Sequence, residues 1–245
     1  MKKAVVKILK NLNLIPSIKE DLKFNDLKGD DVYSLNILQP LLSGKPYLPF
    51  NGGALRPTGI VYILNEILIN KRSSVLEFGS GITTILIARM IKKNKLNIVY
   101  KSVEHNLEWK NYLHNKLQEE GLLDQVELIY ADLKKVAKDN ETIWYDCDHL
   151  NNVLENIFFD LIIVDGPPAN YPEIRYARLP VVDFIKYKLK SNYCIFIDDA
   201  HRDGEKEMIS FFKKSYEITE SHTVSKTFYV IYSKSLFNPI PIYYQ

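Results

Sequence analysis

Carboxylates fall at the ends of apolar runs along this chain, and two glycines follow the first of them. "VLEFGSG" sets Glu77 ahead of the turn Gly79-Ser80-Gly81, "SVEH" carries Glu104, and "IYADL" carries Asp132. Further on, "IIVDGPP" carries Asp165 and "IFIDDAH" carries Asp198, Asp199 and His201. These residue types suit two tasks. Glycine lets the backbone turn sharply and approach a ligand with no Cβ in the way. A carboxylate such as Glu104 can accept both hydrogen bonds of a ribose diol, and Asp132 could read an adenine amino group. Asp165, Asp199 and His201 are the candidate proton acceptors, since acids and imidazoles near a reacting group do general-base work.

Each of these residues also has a plainer reading. A strand-end glutamate often caps a helix or bonds a loop. Asp198-Asp199 could be a helix-start cap, and a lone histidine in a polar loop is often a surface residue. Trp109, five residues beyond Glu104, could flank an adenine or belong to the core. His105, His114, His149 and His222 show no ligand spacing and receive no role.

The elements that must position these groups begin at residue 74. Ser74–Phe78 reads as a buried strand and Thr83–Lys92 as a helix with Ile85, Leu86 and Met90 inward. Asn97–Glu104 is a second strand, and Leu107–Glu120 is a helix stopped by Gly121. Gln125–Ala131, Asp160–Val164 and Tyr193–Ile197 are further strands, with helices over 180–189 and 204–214. Alternation of this kind predicts parallel strands joined by crossover helices, hence an α/β, doubly wound, Rossmann-like sheet. Glu217–Thr223 and Thr227–Ser233 flank Ser225-Lys226 and predict a closing antiparallel β-hairpin. Residues 1–73 lack the alternation. They read as a helical N-terminal extension or lid, with helices at Asp30–Leu42 and Thr58–Ile69 and a short amphipathic helix carrying Val5, Leu9 and Leu12. The expected organisation is therefore 1–73 extension, 74–235 ligand-binding domain, and 236–245 extended tail.

Composition narrows the partners. The chain has 245 residues, a formal net charge of +2 and 46% hydrophobic residues, with 32 basic and 30 acidic side chains. That balance is ordinary for a soluble domain and gives no basic face for nucleic acid. No apolar run approaches the ~18 residues of a membrane span. Lys7 and Lys10 interrupt the only stretch resembling a secretory signal. Cys147 and Cys194 form no CxxC pair, so zinc and disulfides are poor readings and a reducing cytoplasm is the default.

Three acids at successive strand ends, together with a glycine turn, suit a nucleoside that carries positive charge. S-adenosylmethionine has a sulfonium and an ammonium and no phosphate, whereas a pyrophosphate favours basic or neutral surroundings. A dinucleotide fingerprint would also put glycine at position 84, where Thr84 stands. Here residues 74–233 resemble a class I S-adenosylmethionine-dependent methyltransferase, through "LEFGSG", "VEH", "ADL", "FDLIIVDGPP" and the terminal hairpin. The resemblance implies that Glu77, Gly79 and Gly81 hold the methionine part, Glu104 the ribose and Asp132 the adenine, with Asp165 beside the cofactor. Gly79→Val is then expected to block the ligand while sparing the fold.

The resemblance extends to catechol and caffeoyl-CoA O-methyltransferases, which place an acid after the fourth strand and an Asp-Asn pair after the fifth to hold a divalent metal. Asp199 replaces that asparagine. An all-oxygen set suits Mg²⁺, but three carboxylates with no neutral ligand repel one another, so a metal-free transfer with Asp165 nearest the methyl group is preferred. The acceptor expected is a small molecule or glycan, methylated at oxygen. Arg175, Arg178, Tyr171 and Tyr176 are candidates to clamp it, or else bond backbone carbonyls, and "FNGGALR" with Asn51, Gly52, Gly53 and Arg56 is a candidate lid. The rivals are an aminopropyl transferase, which would want a further acid pair beside Asp165, and a non-catalytic binding module of the same fold.

Overall fold

Ser74–Phe78 (β1) is buried at every position because it lies between two parallel neighbours, with helices over both faces. The computed structural model describes residues 14–136, 142–234 and 236–241 of the chain. Val99–Glu104 (β2) pairs with β1 on one side, and Glu127–Tyr130 (β3) pairs with β2. Phe159–Val164 (β6) pairs with β1 on the other side, followed outward by Leu189–Ile197 (β7). The hairpin of Glu220–Val224 (β8) and Phe228–Tyr232 (β9) closes the sheet, with β9 antiparallel to β7. The strand order is β3-β2-β1-β6-β7-β9-β8. Winding therefore reverses between β1 and β6, where open α/β sheets bind their ligands.

The strands alternate between two cores. Val75, Leu161 and Ile163 face one apolar layer, while Leu76, Phe78, Ile162 and Val164 face the other, as the period of two requires. The first layer is covered by the helices Leu14–Leu42 (α1), Pro57–Ile69 (α2) and Ile82–Asn94 (α3). Leu38, Ile60 and Ile63 thus share a core with β1 and β6. Leu107–Glu119 (α4) follows β2 and contributes Leu113 and Leu117 to that same layer. Phe212 and Met208 of Asp203–Ser215 (α7) fill the second layer. A carboxylate staples the sheet at its base, where Asp160 accepts from the backbone amides of Ser73 and Ser74 at 3.0–3.1 Å.

Several expectations need correction. The helix expected at Asp30–Leu42 begins at Leu14. The helix expected over 180–189 is a single turn, Val181–Phe184 (α6), and β7 starts at Leu189. β7 takes up the chain from Leu189 and buries only its later residues, from Tyr193 on. A small two-stranded sheet, Leu133–Lys135 (β4) with Ile143–Tyr145 (β5), and the helix Cys147–Val153 (α5) fill a stretch that carries no helix or strand signal. The amphipathic helix through Val5, Leu9 and Leu12 lies outside the described residues. The tail packs on α2, where the Asn70 side chain exchanges bonds of 3.0 and 3.1 Å with the Phe237 backbone. Among the described residues no helix is long and apolar enough to cross a membrane.

Candidate active site

The ends of β1, β2, β6 and β7 open into one cleft of about 580 Å³, within the range of small-molecule sites. Its wall is built from the turn after β1, from Glu104, His105 and Asn106 after β2, and from residues 165–170 after β6. Asp198 and Asp199 after β7 complete it, with Gly52 and Gly53 of the N-terminal region at the rim.

The two glycines of the turn play different parts. Gly79 has φ +95°, and a Cβ there would lie 2.9 Å from both the Asp165 carbonyl carbon and the Gly166 nitrogen. It is glycine because β1 and β6 deliver their loops into contact, so Gly79→Val strikes the fold itself and not only the ligand. Gly81 has an extended backbone, and a Cβ there meets no protein atom within 4 Å. Only Gly81 is free of a packing reason.

Glu77 lies beneath the turn, not in the cleft wall. It is 1% exposed, and its Oε2 accepts from Tyr100 Oη and Ser102 Oγ at 2.6 Å and from Thr84 Oγ1 at 2.7 Å. Burial outweighs these bonds and pushes its pKa up to about 7. Thr84 Oγ1 in turn accepts from the Gly81 amide at 2.9 Å, so Glu77 braces the turn through Thr84.

Glu104 faces the cleft. Its Oε1 accepts from the Asn106 amide at 2.7 Å and lies 3.1 Å from His105 Nδ1. Its Oε2 holds a longer bond, 3.3 Å, to the Ser80 amide, which leaves that oxygen lone pairs for a ligand. Trp109 lines the same side, held by its indole N–H to the Ser80 carbonyl at 2.9 Å. Asp132 sits at the end of β3 but is exposed, receives the Tyr130 hydroxyl, and is not part of the cleft lining. The distance of β3 from the switch point accounts for this, since β2 stands between it and the turn.

Tyr145 and His105 are cleft residues that sequence reasoning missed. Tyr145 comes from the small β5 strand, is 1% exposed, and its hydroxyl has no hydrogen-bond partner among the described residues. Burial, then the Glu104 charge, push its phenol well above the ordinary range, so it stays a donor. His105 stood beside Glu104 in "VEH", and that adjacency was the available signal. Nothing in "TIWYD" marks Tyr145.

Asp165, Asp198 and Asp199 do converge. Each offers an oxygen, and these oxygens lie within 4.8 Å of one another. Asp199 holds a left-handed backbone, φ +56°, which costs a non-glycine residue ~1–2 kcal/mol and is often kept where geometry matters. Burial, followed by the Asp198 charge, drives Asp165 well above the usual carboxylate range. Burial, followed by the Asp199 charge, raises Asp198 as well. Asp165 and Asp198 stand close enough that the charge on Asp198 makes ionising Asp165 harder still. His201 is exposed and outside the cleft lining.

Of the two readings of Arg178, acceptor clamp or bond to backbone carbonyls, the structure shows the second, with the residue also lining the cleft. Arg178 is 5% exposed and donates to the backbone carbonyls of Asp165 (2.7 Å) and Pro167 (3.0 Å). Arg175, Tyr171 and Tyr176 lie outside the cleft lining, with the Arg175 guanidinium 4.7 Å over the Tyr176 ring. Arg56 is likewise structural, bonded to Asp31 at 2.9 Å and to the Leu27 carbonyl at 2.9 Å. Of the candidate lid, Gly52, Gly53, Ala54 and Leu55 line the cleft, and Asn51 and Arg56 do not.

No family model and no curated protein matches the sequence. Solved structures do. A candidate caffeoyl-CoA O-methyltransferase of Staphylococcus aureus superposes over 94% of this chain and 98% of its own, with TM-score 0.54 and 13% identity. A Bacillus cereus O-methyltransferase in complex with S-adenosylhomocysteine covers 83% and 90%, with TM-score 0.51 and 15% identity. The S-adenosylhomocysteine-bound methyltransferase PaMTH1 of Podospora anserina covers 74% and 80%, with TM-score 0.52 and 17% identity. This chain has the class I methyltransferase fold. In the class I methyltransferase frame, the cleft lies at the carboxyl ends of the parallel strands, on the switch point between β1 and β6.

Proposed function

We propose that the cleft binds S-adenosylmethionine and that the chain transfers its methyl group to a hydroxyl of a small polar or sugar-like acceptor. The observation that carries this reading is the convergence, in one cleft, of the glycine turn, the Glu104 carboxylate and the Asp165–Asp198 pair. The fold and the S-adenosylhomocysteine held by two of the superposed proteins support it.

When bound, S-adenosylmethionine supplies a methyl group on a positively charged sulfur. Glu104 is the group for the ribose hydroxyls through its under-used Oε2, and Trp109 and Asn106 flank the same side. Gly81 leaves room over the turn for the methionine part, and Tyr145 offers a buried hydroxyl with no hydrogen-bond partner among the described residues. Methyl transfer is an in-line displacement, so the acceptor oxygen must be held beside the methyl carbon and lose its proton as it attacks. The Asp198 carboxylate lines the cleft and is the group to take that proton, since burial raises its pKa and makes it a stronger base than a free carboxylate. Asp165 stands beside it in the cleft, with its oxygen within 4.8 Å of the Asp198 oxygen. The rim residues Asn170 and Arg202 and the Gly52-Gly53 backbone present hydrogen-bonding groups, which favours a polyhydroxylated acceptor over an apolar one.

Radiolabelled methyl transfer to a panel of sugars and phenolic hydroxyls tests the proposal. Asp198→Asn is expected to lower the rate by roughly 10²–10⁴-fold with S-adenosylhomocysteine affinity retained. Transfer by Asp198→Asn at the wild-type rate would remove that residue from the base role.

A further inference from the structure

The carboxylates Asp165, Asp198 and Asp199 span a gap that a hard cation could bridge, yet they already face one that belongs to the chain. Arg178 Nη2 lies 3.5 Å from Asp165 Oδ1, and Nη1 lies 3.3 Å from Asp199 Oδ2 and 3.5 Å from Glu205 Oε1. Arg202 Nη1 adds a second guanidinium 2.8 Å from Asp199 Oδ2. Asp165 and Asp199 thereby each face a guanidinium, with the Asp198 oxygen within 4.8 Å of theirs.

Arg178 is also fixed, and its position is not a surface accident. Its bonds to the Asp165 and Pro167 carbonyls bind it to the loop after β6. α7 approaches the loop so closely that a Cβ on Gly204 would lie 1.8 Å from the Arg175 carbonyl oxygen. That approach brings Glu205 to the same guanidinium nitrogen that faces Asp199. A guanidinium keeps its charge at every pH a protein tolerates. A divalent ion needs the carboxylate oxygens at ~2.0–2.6 Å, and here it would have to bind beside a positive charge that cannot leave. The residues present do not fit a metal.

We infer that Arg178 is a built-in cation standing where a divalent metal would otherwise be bound: a positioning residue that holds Asp165 and Asp199 and leaves Asp198 to take the proton. What the acids do rests on the proposed methyl transfer, whereas the exclusion of metal does not. The two can therefore fail separately.

The test is uptake of Mn²⁺ by the full-length, chelator-treated protein, read from the paramagnetic resonance of the free ion, with S-adenosylhomocysteine binding measured in parallel. The wild-type protein is expected to take up no Mn²⁺. Arg178→Met keeps an apolar stem and removes the charge. It is expected to gain about one Mn²⁺ site per chain, and Arg178→Met combined with Asp198→Asn should lose it again. Uptake by the wild-type protein that disappears in Asp198→Asn would overturn the inference, as would a folded Arg178→Met that still takes up none. Should Arg178→Met fail to fold, the wild-type titration decides alone. If the protein neither binds Mn²⁺ nor S-adenosylhomocysteine, the methyltransferase reading fails while the metal exclusion stands.

Discussion

The turn after β1 gives two glycine substitutions with opposite outcomes. At Gly79 an alanine must adopt φ +95° and place its Cβ 2.9 Å from two backbone atoms of the neighbouring loop. The left-handed backbone costs ~1–2 kcal/mol and the overpacking ~1–3 kcal/mol, together about 2–5 kcal/mol. For a domain of this size that lowers Tm by roughly 4–20 °C. At Gly81 an alanine or valine meets no protein atom within 4 Å and keeps an extended backbone, so stability should stay within about 0.5 kcal/mol. Its side chain can only meet a ligand, and Gly81→Val is expected to weaken S-adenosylhomocysteine binding at least about tenfold, the equivalent of ~1.4 kcal/mol. Calorimetry of unfolding and of ligand binding on both variants separates the effects. A Gly79→Ala protein with unchanged Tm would refute the close approach of the two loops. Unchanged affinity in Gly81→Val would put the ligand elsewhere.

Two further outcomes follow from buried groups. Because the folded pKa of Glu77 is raised from 4.5 to about 7, the folded state binds the proton more tightly than the unfolded chain. Stability from this group is full below pH ~4.5 and is lost as pH rises through about 7, so the wild-type Tm should fall across that window and the slope should flatten in Glu77→Gln; an equal slope in both proteins would contradict the assignment. Tyr145→Phe removes a buried hydroxyl with no hydrogen-bond partner among the described residues. It should leave Tm unchanged or slightly higher yet weaken S-adenosylhomocysteine by about 0.5–1.5 kcal/mol, and unchanged binding would take Tyr145 out of the site.

Much of the fold was legible because buried parallel strands leave continuous apolar runs, and β1, β2 and β6 fall within a residue or two of those runs. The hairpin was legible from its turn, where Ser225 and Lys226 both take left-handed backbones. The β4–β5 pair was not, since three-residue strands held by a few bonds leave no period. At the site, strand ends located Glu104, Asp165, Asp198 and Asp199, because a residue just past a buried strand must emerge at the cleft. The same rule over-reached at Asp132, whose strand lies too far from the switch point, and at His201, which the chain carries outward beyond Asp199. Arg178 shows the other limit: a loop arginine reads equally as a substrate clamp or as a bond to backbone carbonyls, and nothing in the sequence shows that Asp165, Asp199 and Glu205 gather round it.

Titration of S-adenosylhomocysteine and of NAD into the wild-type protein and Glu104→Ala bears most directly on the identity of the cleft. Glu104 is 4% exposed and keeps Oε2 bonded only by the 3.3 Å contact to Ser80. The expected result is one S-adenosylhomocysteine per chain and no NAD, with Glu104→Ala weakening the ligand by about 1.5–3 kcal/mol, roughly 10–150-fold. Binding of NAD in place of S-adenosylhomocysteine, or equal affinity in the wild-type and Glu104→Ala proteins, would contradict the account.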